Sequence, residues 1–78
     1  SDPFVEAVRL AEQAAAAGKT VQTSAQWLDV AARWERASDL MSAVKPEDHR
    51  YKTAQDRMKL YRQFSEVAQT QARQKRTP

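Results

Sequence analysis

Residues 51–72 read YKTAQDRMKLYRQFSEVAQTQA, and the spacing of apolar and small residues in this stretch decides the fold. An α-helix turns once in about 3.6 residues, so residues that recur at intervals of three and four lie on one face. Phe64 and Val67 lie beside that face. The pattern predicts one long amphipathic helix with a heptad-like seam. The residues that form the seam are Tyr51, Ala54, Met58, Tyr61, Ser65, Ala68 and Ala72.

The preceding stretch carries a similar apolar face over about five turns. Thr23 and Gln26 have the spacing of a capping box, which opens a helix. Pro46 cannot continue a helix and disfavours helical geometry in the residue before it. These signals predict a helix over residues 24–44. Its apolar face consists of Trp27, Val30, Ala31, Trp34, Ala37, Met41 and Val44.

The amino-terminal stretch predicts a further helix over residues 3–17. The Asp2 carboxylate can accept hydrogen bonds from free backbone N–H groups, and Pro3 loses no hydrogen bond at the first helical position. Gly18 is the residue type that commonly ends a helix in the left-handed conformation. The apolar positions between these signals are Phe4, Ala7, Val8, Ala11 and Ala15.

The fold class follows from three helical stretches and no strand candidate. Glu47 and Asp48 resemble the acidic first turn of a helix, so we predict that the last helix covers residues 47–73. Two short connections make neighbouring helices antiparallel. The sequence therefore predicts an all-α, antiparallel three-helix bundle over residues 1–72, followed by a basic, frayed tail over residues 73–78.

The larger apolar residues of the three faces are the expected core. A spacing of seven between Trp27 and Trp34, with apolar neighbours, favours core packing over a surface that stacks on bases or sugars. Trp27 lies nearer the helix end, where we expect it to be half exposed. The predicted core consists of Phe4, Val8, Trp27, Val30, Trp34, Met41, Tyr51, Met58 and Tyr61.

Composition excludes several classes of protein. The chain has 78 residues, 41% of them hydrophobic, which suffices for one small core. It has no cysteine, so it can form neither a disulfide nor a thiolate metal site. No apolar run approaches the roughly 18 residues that span a bilayer, so we expect a soluble domain without a membrane span. Because the chain begins at Ser-Asp-Pro, we expect a domain excised from a longer protein, and its compartment stays open.

The chain lacks the residue combinations that carry common catalytic chemistry. His49 is the only histidine, and it lies in a polar turn beside Glu47 and Asp48, which we interpret as a helix cap rather than a cation site. Glu35 and Asp39 share one helix face, which we interpret as solvated. Gly18 is the only glycine, so no glycine-rich phosphate loop is available. We predict a non-enzymatic chain with no cofactor, no metal and no small-molecule ligand.

A partner surface is predicted where helix one carries little bulk. Ala14–Ala17 allow close helix approach but fill little volume, so the bundle is either tight at that end or leaves a shallow groove beside helix three. Four apolar residues lie off the main faces and are candidates for contacting a partner: Leu28, Leu60, Phe64 and Val67. The leading hypothesis is a module for protein–protein interaction or self-association.

Two alternatives stay open. A net charge of +3 allows contact with nucleic acid or an anionic surface, but the basic residues alternate with acidic ones instead of forming a basic stripe. We therefore expect a protein partner rather than nucleic acid. The other alternative is a structural spacer within a longer protein.

The chain also resembles a cyanobacterial repeat module whose biochemical role is poorly defined. The resemblance extends from Leu10 to Ala68, with Lys45 in the apolar turn and Arg57 where a lysine is usual. It implies a three-helix unit that occurs singly or in tandem. The architecture is similar to microtubule-interacting and trafficking domains, which implies binding of short helical peptides in grooves between helices. The residues that carry the first resemblance are Trp27, Ala31, Trp34, Ala37, Leu40, Val44, Tyr51, Ala54 and Tyr61.

Overall fold

Three α-helices account for most of the chain in the computed structural model, which describes residues 1–76 and omits the side chain of Arg76. They are α1 (Pro3–Gly18), α2 (Ser24–Ser42) and α3 (Tyr51–Arg76). The described part of the chain contains no strand. Helix α2 packs against both α1 and α3. The prediction of an all-α three-helix bundle is confirmed.

The predicted start signals of α1 and α2 act as caps. Oδ1 of Asp2 accepts hydrogen bonds from the backbone N–H groups of Phe4 at 3.0 Å and Val5 at 3.4 Å. Thr23 and Gln26 form the predicted capping box, in which each side chain accepts from the backbone N–H of the other at 3.1 Å. These bonds satisfy N–H groups that have no partner within the helix.

The prediction for Gly18 is wrong in its conformation. Gly18 is the last residue of α1 and has no positive φ, and Lys19 after it is also in the right-handed helical region. The last turn tightens instead, with hydrogen bonds of 3.2 Å from Lys19 N–H to the Ala16 carbonyl and from Thr20 N–H to the Ala17 carbonyl. Such bonds satisfy the terminal carbonyls without a left-handed residue.

The predicted boundary between α2 and α3 is also wrong. Helix α2 ends at Ser42 rather than at residue 44, and α3 begins at Tyr51 rather than at residue 47. Asp48 does not open α3, because its Oδ1 atom accepts from the backbone N–H of Arg50 at 2.8 Å and thereby holds a turn. Local hydrogen bonding of an Asp carboxylate favours a turn over a helix.

The carboxyl end of α3 lies further along the chain than predicted. The helix continues past residue 73 to Arg76, so it shows no break at the predicted boundary between bundle and tail. Residues 77–78 of the predicted tail lie outside the described residues.

Helices α2 and α3 meet along a row of serine hydroxyls that we call the serine seam. Each hydroxyl donates a hydrogen bond of 2.8–2.9 Å to a backbone carbonyl of the opposite helix. Successive bonds are seven residues apart on each helix, and residue numbers rise on one helix as they fall on the other, so the pair is antiparallel. The three bonds join Ser24 to Ala72, Ser65 to Ala31, and Ser38 to Met58.

Small residues allow this close contact. Most of the buried hydrophobic residues are alanines, and Ser38 and Ser65 are buried with them. Short side chains let two helix backbones approach each other closely. The buried alanines are Ala7, Ala11, Ala14, Ala31, Ala37, Ala54, Ala68 and Ala72.

The larger residues that we expected in the core are buried to different degrees. Val30, Met41 and Tyr61 are buried. Tyr51, the first residue of α3, is half-buried and belongs to neither of the two apolar clusters of the bundle. The remaining expected core residues are partly buried and pack against these clusters: Phe4, Val8, Trp27, Trp34 and Met58.

Substitution of Ser65 tests whether the seam depends on size or on hydrogen bonding. Ser65→Ala removes the bond to the Ala31 carbonyl and the bond that the hydroxyl accepts from Gln69 Nε2 at 3.1 Å. We expect it to lower the free energy of unfolding by about 1–2 kcal/mol, the usual contribution of two such bonds. Ser65→Leu should cost about 1–3 kcal/mol or more, because the added atoms separate the helices. Urea denaturation followed by circular dichroism measures both. Ser42→Ala is the control, since the exposed Ser42 hydroxyl bonds within its own helix. An equal cost for Leu and Ala would contradict close packing.

Candidate protein-interaction groove

A groove of about 400 Å³ opens between α1 and α3 and is floored by α2. It exists because the backbones of α1 and α3 come close to each other at very few points. We call it the α1–α3 groove, and it is predominantly apolar. Its lining consists of Ala14, Ala15 and Gly18 from α1, Trp27, Val30 and Trp34 from α2, and Phe64, Val67 and Ala68 from α3.

The small residues of α1 keep the groove open at this end. On the face of α1 that borders the groove, no side chain is larger than a methyl group at Ala14, Ala15 and Gly18. The larger side chains of Phe4 and Val8 fill the same face nearer the start of the helix. A Cβ atom added at Gly18 would meet nothing within 4 Å. The predicted shallow groove beside the third helix is therefore present at the alanine-rich end of α1.

Aromatic rings form the rigid wall on the α3 side. The ring centroids of Trp34 and Phe64 are 4.8 Å apart in an edge-on arrangement, and those of Trp34 and Tyr61 are 5.3 Å apart. Contacts of this kind contribute about 0.5–1.5 kcal/mol each beyond the area that they bury. The floor and this wall are therefore held in place before any partner arrives.

The ring of Trp27 lines the floor of the groove, whereas its indole nitrogen is shielded from solvent. Its Nε1 atom makes no hydrogen bond to any residue that the structure describes. An unpaired buried donor costs about 1–3 kcal/mol. The groove surface therefore stays apolar at Trp27.

At the opposite end of α1, cationic side chains lie over an aromatic ring. The guanidinium carbon of Arg50 lies 4.7 Å from the centre of the Phe4 ring, and that of Arg57 lies 5.6 Å from it. Arg50 also forms ion pairs with Asp48 at 2.7 Å and with Asp2 at 3.1 Å. Because Asp2 caps α1, Arg50 ties the start of α1 to the linker that precedes α3.

These ion pairs shift the pKa values of all three groups. Hydrogen bonds from the Arg50 guanidinium, and then its backbone N–H, hold the pKa of Asp48 well below its usual range. The same guanidinium lowers the pKa of Asp2. Both carboxylates raise the pKa of Arg50. The charged forms of these side chains are therefore the ones that the fold stabilises.

The four predicted contact residues are exposed, but they do not form one surface. Phe64 and Val67 line the α1–α3 groove. Leu60 lies one turn before Phe64 on α3 and outside the groove lining. Leu28 is 49% exposed and does not line the groove. The structure therefore brings two of the four to the groove, and Leu60 lies beside them.

The sequence did not reveal the groove-lining role of the two tryptophans or the junction at Arg50. Trp27 and Trp34, expected as core, also form the groove floor, because each is only partly buried. Arg50 was not singled out at all. Its role depends on Asp2, which is 48 residues away in the chain and adjacent only in the folded molecule.

Within residues 1–76, no group of three or more His, Cys, Asp or Glu side chains is arranged to hold a metal ion. The side chain of His49, in the polar turn before α3, is 91% exposed. No helix in the described part of the chain is long and apolar enough to cross a bilayer.

Comparison of the chain with protein-family models, curated proteins and solved structures gives no match. The resemblances to the cyanobacterial repeat module and to microtubule-interacting and trafficking domains therefore stay predictions.

Acid denaturation tests the junction at Arg50. A carboxyl group whose pKa is lowered in the folded state contributes stability that is complete above its unfolded pKa, near 3.8 for Asp48. That contribution is lost as the pH falls towards the lower folded value. We expect Asp48→Asn to lower the urea midpoint at neutral pH and to reduce its further fall below about pH 4. Asp39→Asn, at an exposed carboxylate of α2, is the control. Parallel pH profiles for wild type and Asp48→Asn would contradict the assignment.

Proposed function

We propose that this chain is a non-enzymatic helical module for protein–protein association, and that the α1–α3 groove receives an apolar helix. The observation that carries the proposal is the groove itself, in which residues of all three helices surround an open apolar channel. An apolar helix can pack into a channel that has a helix on each side and a third helix as its floor.

The composition of the lining supports a helical occupant. Ala14, Ala15 and Gly18 let the backbone of an incoming helix approach closely on one side, while Phe64 and Val67 offer bulk on the other. The groove is open to solvent, whereas sites for small ligands usually enclose most of the ligand.

The charge of α3 favours a second candidate function, contact with nucleic acid or an anionic surface. Helix α3 carries seven basic and two acidic residues, whereas α1 and α2 each have one more acidic than basic residue. Contacts with phosphates weaken steeply as salt rises, whereas apolar groove binding tolerates salt. A titration at two salt concentrations separates the two functions.

Binding in the groove can be followed by the intrinsic tryptophan fluorescence of the chain. Trp27 and Trp34 are the two tryptophans of the chain, and both line the groove. A synthetic helical peptide with leucines at i, i+4 and i+7, in an uncharged background of alanine and glutamine, is a suitable probe. We expect it to change the tryptophan emission in a saturable manner at low and high salt. A peptide of the same composition with its leucines spread around the helix should not.

Filling the groove should weaken this binding. Ala15→Phe places a ring in the groove from an exposed position, so we expect the probe to bind at least about tenfold more weakly. Ala16→Phe is the matched control, because Ala16 is the next residue of α1, is also exposed and does not line the groove. Equal affinity of Ala15→Phe and wild type for the leucine probe would overturn the proposal.

A further inference from the structure

Helix α1 is held in the bundle by fewer and smaller contacts than the other two helices. Its backbone lies against α2 and comes close to α3 at very few points. The buried residues of α1 are all alanines, each of which removes only a methyl group from water. Its larger apolar side chains, among them Phe4, Val8 and Leu10, are at most partly buried. Helix α1 therefore gains little free energy from burial for a helix of 16 residues.

The polar and aromatic contacts show the same difference. Helices α2 and α3 are joined by the hydrogen bonds of the serine seam and by the ring contacts of Trp34 with Tyr61 and Phe64. Between α1 and α2, a hydrogen bond of 3.0 Å runs from Arg33 Nη1 to Gln13 Oε1 at the protein surface, where water competes for both groups. The α2–α3 pair can therefore keep its own contacts when α1 moves away.

The connection to α2 joins α1 to this pair at the carboxyl end of α1. Residues 19–21 link the last turn of α1 to the segment that the Thr23–Gln26 capping box fixes to the start of α2. Rotation of α1 about this connection displaces the amino-terminal end of the helix most. A contact at the amino-terminal end therefore has the greatest control over such a motion.

A single guanidinium group makes that contact. Arg50 forms an ion pair with Asp2 at 3.1 Å and lies 4.7 Å from the centre of the Phe4 ring. Asp48 holds the same guanidinium in place at 2.7 Å. Arg50 and Asp48 belong to the linker before α3, so they stay with the α2–α3 pair when α1 moves.

We propose that α1 opens as one unit from a folded α2–α3 pair, and that Arg50 is the latch that keeps it closed. The open state keeps the serine seam and the aromatic contacts and loses the contacts of α1. Opening uncovers Ala37 and Met41 of α2, which share a buried cluster with α1. It also removes one wall of the α1–α3 groove, so the latch sets how often the groove is present. That consequence for binding rests on the proposed function, whereas the opening itself does not.

Native-state hydrogen exchange of the 78-residue chain tests the inference, with backbone amides followed by NMR at urea concentrations below the unfolding transition. Partial opening exposes less surface than global unfolding, so its free energy depends less on urea. We expect the amides of α1 to exchange through an opening with a smaller urea dependence than that of the slowest amides of α2 and α3. Equal protection and equal urea dependence in all three helices would overturn the inference.

Ser65→Ala separates partial opening from global unfolding. The Ser65 hydroxyl bonds to the Ala31 carbonyl across the α2–α3 pair, and this bond is present in both the closed and the open state. Its loss therefore destabilises both states alike relative to the unfolded chain. We expect the slowest amides of α2 and α3 to exchange about five- to thirtyfold faster, and those of α1 to exchange at the wild-type rate. The same acceleration in α1 would contradict a separate opening.

Arg50→Gln tests the latch. The variant loses the ion pair with Asp2 and the contact with the Phe4 ring, which are made only in the closed state. We expect the amides of α1 to exchange about fivefold faster than in wild type. Lys52→Gln is the matched control, because Lys52 pairs with Asp56 within α3 at 2.9 Å whether α1 is closed or open. Unchanged exchange of α1 in Arg50→Gln, or the same acceleration in Lys52→Gln, would refute the role of Arg50.

The two proposals fail in different experiments, since hydrogen exchange is measured on the chain without a probe. A chain whose α1 exchanges only through global unfolding, but which binds the leucine probe in an Ala15→Phe-sensitive manner, refutes the latch and leaves the proposed function standing. A chain whose α1 opens separately, but which does not bind the probe, supports the latch and counts against the groove as a helix receptor.

Discussion

The hydrogen bonds from serine hydroxyls to backbone carbonyls across the serine seam set the distance between α2 and α3. A serine side chain is short, so a bond of 2.8–2.9 Å to the opposite backbone is possible only when the two helices lie close together. The buried alanines between these bonds are a consequence of the same constraint, since larger side chains would not fit. The α2–α3 pair is thus the more extensively packed part of the molecule, and α1 packs against it.

The asymmetry of α1 follows from how it meets this pair. At its start, Phe4 fills the space towards α3, and Arg50 ties the Asp2 cap to the linker before α3. At its end, alanines and Gly18 leave the space unfilled. Helix α1 is therefore tied to the linker before α3 at its start and leaves the α1–α3 groove beside its end. The α1–α3 groove arises because the side chains on one face of α1 become smaller towards its end. The backbone of α1 does not have to bend to form it.

Local patterns in the sequence predicted much of this fold. The Asp2 and Thr23 caps and the three helical faces each depend on residues within a turn or two of one another, so periodicity and capping rules suffice for them. The linker before α3 could not be predicted in the same way. Pro46 and its acidic neighbours resemble a helix start, but Asp48 binds Arg50, which in turn binds the distant Asp2.

The candidate site was predictable to a similar extent. The run of small residues at the end of α1 indicated a groove beside α3. Trp27 and Trp34 pack into the bundle and also form the floor of the groove. This double role depends on the distance between α1 and α3. That separation is a property of the assembled bundle. The position of the groove is nevertheless encoded in the sequence, because the residues on one face of α1 change from large at its start to small at its end.

Because the bonds of the serine seam recur every seven residues, more than one alignment of α3 along α2 places small residues opposite small residues. If α3 slid along α2 by seven residues, about 10 Å, Ser65 would lie opposite Ser38 and Ala72 opposite Ala31, and small residues would again face small residues. The same slide would move the Tyr61 and Phe64 rings away from Trp34, so the aromatic contacts would be lost and the Trp34 indole would face Ala68. The small residues therefore fix how close the two helices lie, whereas the aromatic cluster fixes which of the equivalent alignments the chain adopts.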